Sequence, residues 1–111
     1  MSFTITKNKI TLTKGDTFII PIDFHQQIEG AKITINLYKK ESSVPFLTKV
    51  ISNHTEPQVG KSLLLIEKEE LDLIPDTYKI DMSITFLNGI KYTFFPPSPE
   101  IKAEFEIIPT T

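Results

Sequence analysis

Between residues 77 and 95 the chain reads T-Y-K-I-D-M-S-I-T-F-L-N-G-I-K-Y-T-F-F. Two runs of alternating apolar and polar residues flank an Asn88-Gly89 step. A period of two sends successive side chains to opposite faces of a strand. Asn-Gly between two such runs is the strongest short-range signal for a β-hairpin. Two registers are open. A two-residue loop pairs Leu87 with Ile90 and Phe86 with Lys91. A three-residue loop, Leu87-Asn88-Gly89, pairs Phe86 with Ile90, Ile84 with Tyr92 and Met82 with Phe94. A slip of one residue turns a strand inside out, so burial decides the register. The longer loop gathers the large residues on one face. The expectation is a type I turn with Gly89 in the left-handed region and a G1 bulge.

Similar alternation covers most of the chain. Phe3 and Ile5, then Ile10 and Leu12, form one broken strand or two short ones. Lys14-Gly15-Asp16 is a turn. Phe18, Ile20, Ile22 and Phe24 share a strand face, and Pro21 places that strand at an edge or a bulge because proline cannot donate to a ladder. Ile33, Ile35 and Leu37 point inward, with Lys32, Thr34 and Asn36 outward. Residues 46–51 alternate more weakly. Residues 53–60 are polar, contain Pro57 and end in Gly60, which reads as an exposed loop. Residues 63–67 form a short strand. Residues 67–74 favour a helical turn or wide corner, which Pro75 stops. Pro96, Pro97 and Pro99 forbid regular pairing and imply an extended crossover. Ile101, Ala103, Phe105 and Ile107 line a last strand. Seven or eight short strands with turn signals about every ten residues predict an all-β fold. The expected architecture is a two-sheet antiparallel β-sandwich, immunoglobulin-like or jelly-roll-like, with residues 1–111 as its single domain and a barrel as the alternative.

Composition narrows the functions. With 111 residues the chain can bury a core without disulfides or metal. A formal net charge of -2 argues against a binder of nucleic acid, which needs a basic patch. Lys7, Lys9 and Lys14 read as a solvated strand face. No cysteine is present, so thiol nucleophiles, thiolate metal sites and disulfides are excluded. No secretory signal is visible at the N-terminus. The longest apolar run, residues 63–66, falls far short of the roughly 20 residues that span a membrane. No membrane insertion is expected.

No catalytic pattern emerges, and the chain reads as non-enzymatic. There is no G-x-S-x-G elbow. His25 and His54 fall in separate loops without metal-ligand spacing. Asp16, Asp23, Asp76 and Asp81 are the carboxylates near strands, but Asp23 and Asp81 lie on outward faces where a solvated acid needs no further role. Glu67, Glu69, Glu70 and Asp72 lack the spacing of a calcium loop. Gly15, Gly30, Gly60 and Gly89 end strands and build no phosphate loop. Neither a metal nor a cofactor is expected. The aromatic residues are the better lead. Phe94 and Phe95 are adjacent on a strand and so point to opposite faces; with Phe94 inside, Phe95 is outside or lies under the crossover of residues 96–99. Tyr38, Leu47 and Ile51 join Phe95 as a candidate interaction surface.

Two segments resemble a known family. Ile10-Thr11-Leu12-Thr13-Lys14-Gly15-Asp16-Thr17-Phe18 resembles the G-D-T entry into the second strand of small immunoglobulin-like or jelly-roll-like modules in the tail-tip baseplates of siphophages of Gram-positive hosts. Pro75-Asp76-Thr77-Tyr78-Lys79-Ile80-Asp81-Met82 is similar to their G-x-Y-x-Y-D-I strand, with Asp76 in place of the usual glycine. The order of elements matches over nearly the whole chain. In that family such modules dock larger upper-baseplate or receptor-binding proteins to the tail. The resemblance implies a structural or accessory protein acting by protein–protein contact, with itself as a homo-oligomer or with other phage tail proteins, and located in a virion tail or the host cytoplasm. Nothing follows Thr111, so no receptor-binding head is expected. The alternatives are a carbohydrate-binding module for host-surface adhesion, which needs two or three aromatic rings in a row on one sheet face, and a phage protein made in the host cell and not packaged.

Overall fold

In the computed structural model, residues 3–5, 9–71, 73–96 and 103–109 are described. They form nine strands and no α-helix: β1 Phe3–Ile5, β2 Lys9–Thr13, β3 Phe18–Asp23, β4 Lys32–Tyr38, β5 Leu47–Ile51, β6 Lys61–Ile66, β7 Asp76–Thr85, β8 Lys91–Phe95 and β9 Glu104–Ile108. The strands divide into two sheets. The large sheet runs β1-β2-β9-β7-β4-β5, with β8 also paired to β7, and the small one is β3-β6. The all-β, two-sheet expectation therefore holds. The strand number rises above seven or eight because residues 3–5 and 9–13 are separate strands that pair with each other antiparallel. The purely antiparallel expectation is corrected, because β2 runs parallel to β9, from Lys9↔Glu104 to Thr13↔Ile108. The turn at Gly15 carries the chain from the large sheet into the small one, so β2 and β3 form no hairpin. That leaves β2 free to lie beside the last strand.

The core forms where the two sheets face each other. Ile33, Ile35 and Leu37 of β4, Ile80, Met82 and Ile84 of β7, and Phe105 and Ile107 of β9 are all buried on the inner face of the large sheet. Phe18, Leu64 and Ile66 are buried from the small sheet, with Ile20, Ile22 and Phe24 packed against the same cluster. The Phe18 and Phe105 rings meet edge to face at 5.8 Å, a favourable quadrupole geometry. Residues 67–71 make the expected single turn, with the Glu70 N–H donating to the Glu67 carbonyl at 3.0 Å and the Leu71 N–H to the same carbonyl at 3.3 Å. Leu71 plugs the core from that corner.

The small sheet explains the tolerance of Pro21. Lys61 exchanges both backbone hydrogen bonds with Glu56, on the side of β6 away from β3. Residues along an antiparallel strand bond alternately to one side and the other. Ser62, Leu64 and Ile66 therefore bond toward β3, and Leu63 and Leu65 point their backbone groups away. Pro21 stands opposite Leu63, at a position where no N–H is called on.

The corner that starts β7 is pinned by Tyr78, whose hydroxyl donates to the Ile74 carbonyl at 2.6 Å. Its ring is buried and leans on Phe46 at 5.5 Å. Burial first, and then the nearby charge of Asp76, pushes the Tyr78 hydroxyl above its ordinary pKa.

The β7–β8 hairpin has the three-residue loop. Ile84 stands opposite Tyr92, the Phe86 N–H donates to Ile90 O at 2.8 Å, and Gly89 has φ of 90°. The expected Met82–Phe94 pair is corrected. A bulge between Met82 and Ser83 sets Phe95 opposite Met82, so Phe94 is the extra residue. The bulge suspends alternation, and Phe94 and Phe95 both pack against the core. Phe94 reaches the Phe24 ring edge to face at 5.1 Å. The expected crossover beyond Pro96, together with Ile101, lies outside the described residues.

Gly60 closes the loop before β6 at φ +89°, and an added Cβ would come within 2.3 Å of the Gln26 carbonyl oxygen. Gly60→Ala should destabilise the fold by more than the ~1–2 kcal/mol that a left-handed conformation costs a residue with a Cβ. The urea midpoint checks this; an unchanged midpoint would contradict the backbone contact.

Candidate functional site

The four candidate surface residues do not form one patch. Leu47 and Ile51 stand opposite Leu37 and Ile33, and so share their inward face. They pack against the core as partly buried residues, as does Phe95. Their outward placement is thus corrected: the register of β5 on β4 brings Leu47 and Ile51 in, and the β8 bulge brings Phe95 in. Tyr38 does face outward, half-buried, on the far side of the large sheet from Leu37.

Around Tyr38 the outer face carries a polar ladder across three strands. Asn36 on β4 lies between Thr48 on β5 and Asp81 on β7. The Thr48 hydroxyl donates to Asn36 Oδ1 at 2.8 Å, and Asn36 Nδ2 donates to Asp81 Oδ1 at 3.0 Å. The other Asp81 oxygen accepts from the Tyr38 hydroxyl at 2.6 Å. Lys79 Nζ lies 5.7 Å from the centre of the Tyr38 ring and donates to the Ser42 carbonyl. Burial, then the hydrogen bond to Asp81 and its charge, raise the Tyr38 pKa from 10.0 to about 12. A depression of about 430 Å³ borders this ladder, lined by Tyr38, Lys40, Lys79, Asp81 and Pro96 among others. Tyr38 is the one aromatic ring among the described residues that line it. The row of rings that a saccharide platform would use is therefore missing from this depression, and the ladder's donors are spent on one another.

The two histidines separate. His25 is exposed in the left-handed region, with its backbone N–H on Asp23 Oδ1 at 2.8 Å. His54 ties the sheets together. Its Nε2 is 2.8 Å from the Ala31 carbonyl, just ahead of β4, and its Nδ1 is 2.9 Å from the Ser62 hydroxyl on β6. A carbonyl only accepts, so Nε2 carries the proton, and in the neutral ring Nδ1 accepts from Ser62. Ser62 is buried, and the second ring nitrogen bonds a backbone carbonyl where a catalytic triad has a carboxylate, so the pair joins the two sheets. The pairing joins positions eight residues apart around a 3-10 turn, Pro57–Val59, and sequence spacing gives no sign of it. Among the described residues no group of three His, Cys, Asp or Glu could hold a metal ion. Asp23 ends β3 in the small sheet and Asp81 faces the opposite side of the molecule, so these two do not make a carboxylate pair. No described helix is long and apolar enough to cross a membrane.

Exposed apolar residues occur at several places, among them Val44, Val50, Val59 and Ile74, and three of them fall on the β7–β8 hairpin. Leu87 is 81% exposed, Ile90 61% and Tyr92 59%. The hairpin tip stands over the connection before β4, where Leu87 comes close to Gly30. Gln26, Gln27 and Glu29 share a groove of about 710 Å³ with Phe86, Leu87 and Ile90. Large apolar side chains rimmed by polar groups are the composition of an association surface.

No protein-family model matches the chain, and neither a curated protein nor a solved structure matches it.

Raising pH tests the Tyr38 ladder. A tyrosine whose folded pKa lies above its unfolded value stabilises the fold below pH 10, and that contribution is lost as pH rises through about 12. Tyr38→Phe should remove the latest tyrosinate step from an ultraviolet titration and flatten the loss of stability over that window. If Tyr38→Phe instead removes a step near the ordinary value of 10.0 and leaves the late step in place, the Asp81 bond is not held in solution.

Proposed function

We propose that the protein is a non-enzymatic structural or accessory module that acts by protein–protein contact at or near a phage tail tip. The observation that carries the reading is the apolar hairpin face, Leu87, Ile90 and Tyr92, displayed on a two-sheet scaffold. The depression on the outer sheet face, by contrast, holds a carboxylate and a phenol already bonded to each other. The Gly15-Asp16-Thr17 entry into β3 and residues 75–82, which open β7, support the resemblance to siphophage baseplate modules. The occupant that suits the hairpin is a neighbouring tail protein presenting an apolar face, with Gln26, Gln27 and Glu29 at the rim to orient it.

We also infer an immunoglobulin-like topology. The order β9-β7-β4-β5 matches the G-F-C-C′ order of a variable-type domain, β3-β6 matches B-E, and β8 is then an extra strand between F and G. Tyr78 supports the assignment. It stands at the start of the strand equivalent to F, with its hydroxyl on a carbonyl four residues upstream, as in a tyrosine corner. The disulfide and tryptophan of antibody domains have no counterpart, since the chain has neither residue type.

Particles purified from the phage that encodes the chain test the function. Immunoblots should detect the wild-type protein in them, and a folded Leu87→Glu/Ile90→Glu variant should be lost from them. Wild-type protein confined to the infected cell would favour the unpackaged alternative, and a variant still incorporated would remove the hairpin as the docking face.

A further inference from the structure

An exposed sheet edge invites pairing with another chain, and natural edges usually carry a device against it. Among the described residues, all but one of the edge strands here carry such a device. β1 is three residues long. β8 is short and bulged. β3 has Pro21, which removes the donor in the middle of its outer edge. β5 carries an inward-pointing charge: Lys49 stands opposite Ile35, facing the core side, and its Nζ is held 2.9 Å from Glu70.

β6 is the exception. From Ser62 to Ile66 it has no charge, no proline and no bulge. The backbone groups of Leu63 and Leu65 point away from β3, and no described strand pairs with them. The Glu56 bridge covers that edge only as far as Lys61. Beside the open stretch runs a groove of about 490 Å³, bordered by Ile51, His54, Leu63 and Leu65. The outward face continues the apolar surface, with Ile19 opposite Leu65 and Pro21 opposite Leu63.

We infer that β6 is a self-association edge, and that a second copy of this chain pairs its own β6 antiparallel across a two-fold axis at Leu64. In that register Leu63 of each copy faces Leu65 of the other. Both carry outward-pointing donors and acceptors, so the pairing is hydrogen-bonded at both steps. The ends of the strand decide for a second copy. Lys61 begins β6 and Glu67 follows its last residue, both exposed and on the same outward face as Leu63 and Leu65. A two-fold about Leu64 brings each lysine toward the other copy's glutamate, a self-complementary arrangement that an isologous interface requires. The Glu56 bridge limits backbone pairing to Leu63 and Leu65, so these charges meet through side-chain reach. Joining the edges turns two two-stranded sheets into one four-stranded sheet, and a two-stranded sheet alone is marginal.

The inference deepens the contact reading by naming the self-contact, and its test is separate from the hairpin test. Sedimentation equilibrium of the intact chain should show a monomer–dimer equilibrium. Leu65→Lys, folded by circular dichroism, should abolish the dimer. Lys61→Glu and Glu67→Lys should each weaken it by about fivefold, as expected for turning a surface attraction into a repulsion, and the double exchange should restore it. Hydrogen exchange on the wild-type protein adds a measurement that needs no variant. The Leu63 and Leu65 amides should be slow when concentrated and fast when dilute, with the Leu64 amide slow throughout. A strict monomer at millimolar concentration, or a dimer whose Leu63 and Leu65 amides exchange freely, would overturn the β6 edge. A dimer broken by the hairpin variant and not by Leu65→Lys would move self-association to the hairpin.

Discussion

The structure depends on β7, which has three paired neighbours where every other described strand has at most two. β7 bonds to β4 along one edge from Lys79 to Thr85, while its other edge serves β9 from Asp76 to Lys79 and β8 from Met82 to Thr85. Ten residues thus hold three neighbours in place. Tyr78 fixes where the strand begins, and the Gly89 turn fixes where the chain comes back. The bulge at Met82 and Ser83 falls just beyond the stretch that pairs with β9. Bulges increase local twist and re-aim side chains. Phe94 and Phe95 are thereby both drawn against the core, while Leu87, Ile90 and Tyr92 remain in solvent. The apolar display follows from the geometry of the pairing.

The small sheet depends on the rest of the molecule more than the large one does. Two strands cannot sustain themselves, so β3 and β6 are held by their inner apolar residues, by the Phe18–Phe105 contact and by the His54 tie. The loop at Gly60 reinforces them, since the Gly60 carbonyl accepts from Phe24 N–H at 2.8 Å. Such a sheet has two edges for two strands, which is why the unequal protection of β3 and β6 carries information about association.

Much of the architecture was legible locally. The inward sets Ile33-Ile35-Leu37 and Phe105-Ile107, the corner after Glu67, the edge position of Pro21 and the three-residue hairpin loop all follow from alternation, from proline's missing donor and from glycine's access to positive φ. The candidate surface was far less legible. Leu47 and Ile51 sit in a five-residue strand whose inner face also carries Lys49, so hydrophobicity alone assigns the faces poorly. The His54–Ser62 pair and the polar ladder of Thr48, Asn36, Asp81 and Tyr38 join residues whose proximity depends on strand pairing. The parallel neighbourhood of β2 and β9 joins the two ends of the chain.

By itself the sequence determined which segments are strands and, for most of them, which side of each is apolar, because a period of two is a property of a few consecutive residues. Only the tertiary structure decided which strands are neighbours, where a bulge interrupts alternation, and which edge is left without a partner. Those outcomes rest on hydrogen bonds and packing between segments tens of residues apart, and no local pattern encodes them.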